Sequence, residues 1–153
     1  MKYLENLIRD AEIALKTTPA SEEVITDLCS INSLNITTGV YIIEEINGDK
    51  INTYNKFIAF KQKQLVAMPK LNLPSDVLYV GSSRKNLKNR LLQHAGLGYR
   101  KTYALHLKEW FTGQLKITVK DYNVSNPVLQ LIEDATAFDL SPAFGKIGGN
   151  NLC

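Results

Sequence analysis

The sequence predicts a small α/β (α+β) domain with three strands and flanking helices, preceded by an N-terminal helical segment. Its 153 residues, 44% hydrophobic and 22% charged, are typical of one ordinary folded domain. Three runs rich in β-branched or aromatic residues, at 40–43, 77–80 and 115–121, predict the strands. Apolar residues at helical spacing predict the helices.

The N-terminal segment, residues 1–36, is predicted to be helical and to pack on the rest of the domain. Residues 3–16 fit an amphipathic helix, and Thr17, Thr18 and Pro19 interrupt it. A second helix is expected over about 19–29, since Thr18 can cap it and proline is tolerated at the first helical position. The apolar stripe of the first helix consists of Leu4, Leu7, Ile8, Ala11, Ala14 and Leu15.

The first two predicted strands are separated by a long stretch, residues 44–76. Asn47 and Gly48 form a turn signal after the first strand, and Gly81 follows the second. We expect the stretch to be an insertion with two short elements of its own, around 57–60 and 65–68. It belongs to the main predicted domain, 37–153.

The second half of the chain predicts three helices and the last strand. Asn86 is a suitable cap for a helix that ends at Gly96. Residues 102–111 are expected to form another helix, and the alternating pattern of 115–121 is typical of a half-buried strand. Asn126 and Pro127 start the final helix, which stops before Pro142 and is predicted to bury Val128, Leu131, Ile132, Ala135 and Phe138.

Composition excludes several classes of protein. The two cysteines, Cys29 and Cys153, are too few and too far apart for a disulfide framework or a cysteine zinc site. The charged N-terminus does not resemble a signal peptide, and no apolar run is long enough to span a membrane. We therefore expect a soluble, cytoplasmic protein without a membrane partner.

The charge is concentrated in the middle of the sequence. The net charge is +3, but residues 84–120 contain nine basic residues and one acidic residue, a local charge of +8. Such a segment suits a surface that binds a polyanion, because neutralised phosphates release counterions. A set of solvated helix faces explains the same charges equally well.

Five polar residues at the edges of predicted elements are candidates for chemistry. No phosphate-binding glycine loop, dinucleotide-binding motif, zinc-protease motif or hydrolase serine motif occurs. Each candidate also has an ordinary structural role, because strand tyrosines pack in cores and long basic side chains cover apolar neighbours. The candidates are Tyr41, Tyr79, Arg90, His94 and Glu133.

These residues occur in the order of a known family. Residues 39–41 read Gly-Val-Tyr, 79–81 read Tyr-Val-Gly, and a helix ending its first turn at Arg90 precedes a helix with Glu133 near a proline. This ordered set resembles the GIY-YIG nuclease family, particularly its excision-repair type, over roughly residues 39–146. The resemblance implies a mainly antiparallel three-stranded sheet flanked by helices.

The resemblance also implies a role for each residue. Tyr41 and Tyr79 match the two tyrosines that line the active site and handle the attacking water or its proton. Arg90 matches the arginine on the scissile phosphate, and His94 a position filled by histidine or tyrosine that assists by proton transfer or hydrogen bonding. Glu133 matches the single carboxylate that holds one divalent cation, Mg²⁺ or Mn²⁺. The two tripeptides contribute Gly39 and Gly81, of which Gly81 is expected to let the strand end turn closely into the site.

The sequence departs from the family pattern in four places. The stretch 44–76 replaces a connection of about ten residues. One extra residue precedes Arg90, which leaves open whether Ser82, Ser83, Arg84 or Lys85 takes the place of the usual basic residue. Gly145 stands where the family commonly has asparagine, for which Asn150 or Asn151 are candidate substitutes. From the length of 153 residues we also expect no separate DNA-reading domain.

The predicted function is divalent-metal-dependent endonucleolytic hydrolysis of DNA, duplex or branched, with RNA left open as a substrate. The alternatives are a non-catalytic nucleic-acid-binding module and a complex subunit that retains the fold. The stretch 44–76 is a candidate contact for DNA, for a second copy of the chain or for a partner protein. The residues expected to bind the phosphate backbone are Arg84, Lys85, Lys88, Arg100 and Lys101.

Overall fold

The protein is described by a computed structural model that covers residues 1–148. The helices are α1 (Lys2–Lys16), α2 (Lys50–Gln62), α3 (Leu87–Ala95) and α4 (Asn126–Leu140). The strands are β1 (Ser21–Ile25), β2 (Gly39–Ile46), β3 (Val77–Ser83) and β4 (Gln114–Asp121). They form one antiparallel sheet in the order β1-β4-β2-β3. The predicted α/β class and the three predicted strands are confirmed, and the sheet has a fourth strand.

The fourth strand lies where a second N-terminal helix was predicted, and that prediction is wrong. β1 pairs with β4 from Ser21 opposite Asp121 to Ile25 opposite Ile117, which covers the edge of β4. The Glu23 carboxylate accepts hydrogen bonds from the backbone N–H groups of Asn35 and Ile36 and so fixes the returning chain. A 3₁₀ helix, Leu28–Ser33, follows the strand. The N-terminal segment is therefore only partly helical, because pairing with β4 outweighs the weak helical pattern of 19–29.

Side chains of β2 alternate between two apolar cores on opposite faces of the sheet, as the period of two in a strand requires. Tyr41 and Ile43 face the larger core, which includes residues of α2 and α3. Val40 and Ile42 face a smaller core beneath α4. This alternation places Tyr41 on the α3 side of the sheet, which matters for the site described below.

The predicted insertion supplies part of the larger core. It contains one helix, α2, whose start is capped by the Asp49 carboxylate, and no element forms at the predicted second position, 65–68. Phe57 of α2 is fully buried, with ring centroids 4.2 Å from Phe144 and 5.1 Å from Trp110. Met68 is also buried. Residues of this stretch therefore pack inside the domain as well as on its surface.

The helix predicted over 102–111 is absent. Only Leu107–Glu109 forms a 3₁₀ turn, because His106 has a left-handed backbone (φ 52°) that interrupts a helix. The Trp110 indole N–H donates to the Leu105 carbonyl, so the apolar side chains are buried without a regular helix. The segment is therefore packed into the domain, but the predicted helix does not form.

The other predicted helices are confirmed, with differences in which side chains they bury. No residue of α1 is fully buried, and Leu15 is 85% exposed although it belongs to the predicted apolar stripe. On α4, Phe138 is 66% exposed, whereas Leu129 and Ala137 are buried beside Val128 and Ile132. Within residues 1–148, no helix is long and apolar enough to cross a membrane.

Candidate active site

Four of the five predicted site residues line one cleft of about 350 Å³. Tyr41 comes from β2, Tyr79 from β3, Arg90 from α3 and Glu133 from α4, so the fold brings together residues that are distant in sequence. The remaining lining includes Tyr103, Gln130 and Lys146, which no sequence motif identifies. The cleft is completed by Val80, Gly81, Ser82, Arg84, Tyr103, Gln130 and Lys146.

The two tyrosines lie side by side because their strands pair. Tyr41 is opposite Gly81, and Tyr79 is opposite Ile43. Their rings stack with centroids 6.2 Å apart and planes 8° apart. Tyr41 is 1% exposed and Tyr79 is 8% exposed, so only the edges of the rings reach the cleft. The stacked rings of Tyr41 and Tyr79 thus form one part of the cleft lining.

Gly81 provides space for the Tyr41 hydroxyl. A Cβ atom at Gly81 would overlap the Tyr41 Oη and lie 2.6 Å from Cζ. The strand does not turn here, since β3 continues to Ser83, so the expected reason for this glycine is wrong. Gly39 has a comparable packing role, because a side chain there would collide with the Lys120 carbonyl of β4.

Replacing Gly81 with alanine is expected to lower the free energy of unfolding by about 1–3 kcal/mol, since a methyl group forces the Tyr41 ring out of its place. Urea unfolding followed by tryptophan fluorescence measures this loss. Ser83→Ala, at the half-buried end of the same strand, is the matched control. Equal unfolding midpoints for the two variants would contradict the packing described for Gly81.

His94 lies behind Tyr41 and does not line the cleft. It is completely buried, its Nε2 is 3.0 Å from the Tyr41 Oη, and its Nδ1 accepts the Leu105 backbone N–H at 3.2 Å. A backbone N–H can only donate, so Nδ1 is unprotonated and the neutral ring carries its proton on Nε2. His94 therefore donates to Tyr41.

Electrostatics agree with a neutral His94. Burial, with smaller contributions from Arg90 and His106, lowers the pKa of His94 well below its usual value. Neither ring nitrogen has a free lone pair that faces the cleft. Of the two predicted roles of His94, the geometry favours hydrogen bonding over proton transfer.

Both site tyrosines are protonated in the free protein. Burial raises the pKa of Tyr41 and of Tyr79 above the usual value, and the Arg90 cation opposes this only in part. Because the Tyr41 hydroxyl accepts from His94, its own proton is available to a group in the cleft.

Arg90 extends from α3 toward the tyrosines. The helix begins at the Asn86 cap, whose side chain accepts the Asn89 N–H, and ends at Gly96 with φ 87°. The guanidinium donates to the Gln93 amide oxygen at 3.0 Å and lies 3.5 Å from the Tyr79 hydroxyl. This leaves donors of a half-buried cation directed at the cleft.

Glu133 is held by neutral donors and by one cation. Its Oε1 accepts the Ser82 hydroxyl at 2.8 Å, and its Oε2 accepts the Gln130 amide at 2.7 Å. The Lys146 ammonium is 3.8 Å from Glu133 Oε2 and 3.6 Å from Asp134 Oδ1. The three-residue spacing of Gln130 and Glu133 could have predicted their contact. No sequence signal identified Ser82 or Lys146 as partners of Glu133.

Glu133 is the acidic residue that lines the cleft. Mg²⁺ and Mn²⁺ prefer oxygen ligands, and Mg²⁺ keeps several waters, so one carboxylate completed by waters and phosphate oxygens suits such an ion. Among residues 1–148, no cluster of three or more acidic, histidine or cysteine side chains forms a closed metal site. Among these residues, the cleft therefore offers an ion a single carboxylate, Glu133.

Of the five predicted phosphate-binding residues, only Arg84 is among the residues that line the cleft. Arg84 lines the cleft and donates to the Gln130 amide oxygen at 2.6 Å. The other four lie outside the cleft lining, before, on or after α3, and are Lys85, Lys88, Arg100 and Lys101. We call these four residues the basic rim, and Arg100 among them lines a separate pocket with His106 and Glu109.

Gly145 has a steric role at its unusual position. Its backbone is left-handed (φ 90°), and a Cβ atom would lie 2.6 Å from Tyr79 Cε2. The Asn72 amide donates to the Gly145 and Pro142 carbonyls, so an asparagine from the stretch 44–76 holds this loop. The candidate substitutes Asn150 and Asn151 lie outside the described residues.

Comparisons with protein-family models, curated proteins and solved structures found no match to this chain.

Proposed function

We propose that the protein is a divalent-metal-dependent endonuclease that hydrolyses DNA phosphodiester bonds in the cleft between β2, β3, α3 and α4. The observation that supports this most is that Tyr41, Tyr79, Arg90 and Glu133 line the same cleft. Phosphodiester hydrolysis needs a positioned water, a group that stabilises phosphoryl charge and stabilisation of the departing oxygen. Tyr41 and Tyr79 would meet the first need and Arg90 the second, and the cation that Glu133 would hold would meet the third.

Arg90 is the proposed phosphate ligand. Its guanidinium is always charged and presents several donors in one plane, which suits two phosphate oxygens. Contact with Gln93 and Tyr79 restricts its orientation before substrate arrives. An oriented donor in a half-buried site stabilises developing charge more than a freely moving one.

Tyr41 is the proposed residue that orients the water or a phosphate oxygen, with Tyr79 beside it. His94 donates to the Tyr41 Oη, and this fixes the hydroxyl with its proton directed elsewhere. Because the pKa of Tyr41 is raised, the phenol acts as a hydrogen-bond donor in the free protein. We assign His94 as a positioning residue for Tyr41.

Glu133 would hold the cation, Mg²⁺ or Mn²⁺. The bound ion would supply charge neutralisation and a more acidic water. Ser82 and Gln130 keep the carboxylate directed at the cleft through their hydrogen bonds. Arg84 and the basic rim of Lys85, Lys88, Arg100 and Lys101 would bind the backbone of duplex or branched DNA, or RNA, in a salt-dependent manner.

A plasmid-nicking assay tests the proposal. We expect supercoiled DNA to be nicked in Mg²⁺ or Mn²⁺ and left intact in excess chelator, with binding weakened by salt in a gel shift. A labelled branched duplex and a labelled RNA in the same buffer define the substrate. Cation-independent binding without cleavage of any of these substrates would contradict hydrolysis.

A nucleic-acid-binding module without cleavage is the second candidate. The observation that favours it is the Lys146 ammonium beside Glu133, together with Gly145 in place of the usual asparagine. In that case the basic rim would bind and the cleft would be inert. Binding without a protein partner also distinguishes this candidate from a complex subunit.

A further inference from the structure

Lys146 places a positive charge where the proposed function needs a metal ion. Its ammonium lies 3.8 Å from Glu133 and 3.6 Å from Asp134, and its side chain lines the cleft. The Glu133 side chain is 13% exposed and the Lys146 side chain 37%, so solvent screens the pair in part. Lys146 thus offsets part of the negative charge of the two carboxylates in the free protein.

The backbone keeps Lys146 at this position. Gly145, immediately before it, is packed against Tyr79, and its carbonyl accepts the Asn72 amide at 2.9 Å. The Gly145 N–H donates to the Lys70 carbonyl at 2.8 Å. Contacts of Gly145 to Tyr79 and to the segment 70–72 therefore fix the backbone next to the lysine side chain.

We propose, on the basis of the proposed function, that Lys146 is an internal counter-ion that competes with the divalent cation for Glu133. When a cation binds to Glu133, the ammonium must leave the carboxylate, since two cations sharing one carboxylate repel each other. Displacement frees the lysine to turn toward a phosphate in the same cleft. Substrate phosphate and cation would then bind cooperatively, because the phosphate attracts the ammonium that the cation displaces.

The test is the affinity of the protein for Mn²⁺ alone, measured from the electron paramagnetic resonance signal of the free ion. Lys146→Met is expected to bind Mn²⁺ roughly 5- to 20-fold more tightly than the wild type, because it removes the competing charge. Lys146→Arg keeps the charge and is expected to remain within about threefold of the wild type. Lys63→Met, on an exposed residue outside the cleft lining, controls for the change in net charge.

The outcomes separate this inference from the proposed function. Mn²⁺ binding that Glu133→Gln abolishes, but that Lys146→Met leaves unchanged or weakens, would overturn the competition and leave the metal site intact. No Mn²⁺ binding sensitive to Glu133→Gln in any variant would overturn both. Because Lys146 is partly exposed, Lys146→Met is expected to fold, and circular dichroism checks this. Lys146→Gln also removes the charge, so agreement between the two variants shows that the change in Mn²⁺ affinity reflects charge.

Discussion

Replacing Glu133 with glutamine is expected to lower the rate of DNA cleavage about 1000-fold. The substitution keeps the shape of the side chain and an oxygen that can accept from Ser82, but removes the carboxylate charge that would hold the cation. Loss of one preorganised electrostatic group typically costs 10²–10³-fold in rate, about 3–4 kcal/mol. Single-turnover cleavage of labelled DNA at saturating protein measures the effect.

Asp139→Asn is the matched control for Glu133→Gln. Asp139 is an exposed carboxylate further along α4, outside the cleft lining. Its replacement changes the net charge of the protein equally and should leave the cleavage rate within about twofold. If both variants cut at the wild-type rate, Glu133 does not serve the reaction. Gel shifts on both variants separate weaker binding from slower chemistry.

Phe57→Ala is expected to lower the free energy of unfolding by about 3–5 kcal/mol, because it leaves a cavity in the larger core. Phe57 contacts Phe144, which is one residue before Gly145, so the substitution also loosens the loop that borders the cleft. Such a loss is a large share of the 5–15 kcal/mol typical of a domain. Chemical denaturation monitored by circular dichroism measures it.

Ile51→Ala provides the comparison for Phe57→Ala on the same helix. Ile51 is 59% exposed at the first turn of α2, so its truncation should cost no more than about 0.5 kcal/mol. Similar small losses for the two variants would show that α2 is not packed into the core. The pair therefore tests whether the stretch 44–76 is part of the folded domain.

Local patterns predicted most of the regular elements. α3 was recognised from the Asn86 cap and the Gly96 C-cap, and β4 from strict alternation, because those signals lie within the element itself. The sequence predicts a helix where β1 lies, because the strand conformation of β1 depends on pairing with β4, almost a hundred residues away. The helix predicted over 102–111 is absent for a similar reason: the apolar side chains there are buried by tertiary contacts around His106 rather than by a helix.

The site shows the same division between local and distant information. Tyr41, Tyr79, Arg90 and Glu133 were selected by an ordered motif, and the structure brings all four to one cleft. His94 lies on the predicted helix, but its burial and its hydrogen bonds with Leu105 and Tyr41 depend on tertiary contacts outside that helix. No sequence motif identifies Lys146, since only the folded chain places it beside Glu133.

The most direct test of the proposed hydrolytic cleft is cleavage of labelled DNA in Mn²⁺ by the wild type and by Arg90→Met at equal fractional binding. Arg90 lines the cleft, whereas Arg9, exposed on α1, does not and serves as the control in Arg9→Met. We predict that the wild type and Arg9→Met cut equally and that Arg90→Met cuts about 100-fold more slowly. Bound but uncut DNA with the wild type, or equal cutting by Arg90→Met, would contradict the proposed function.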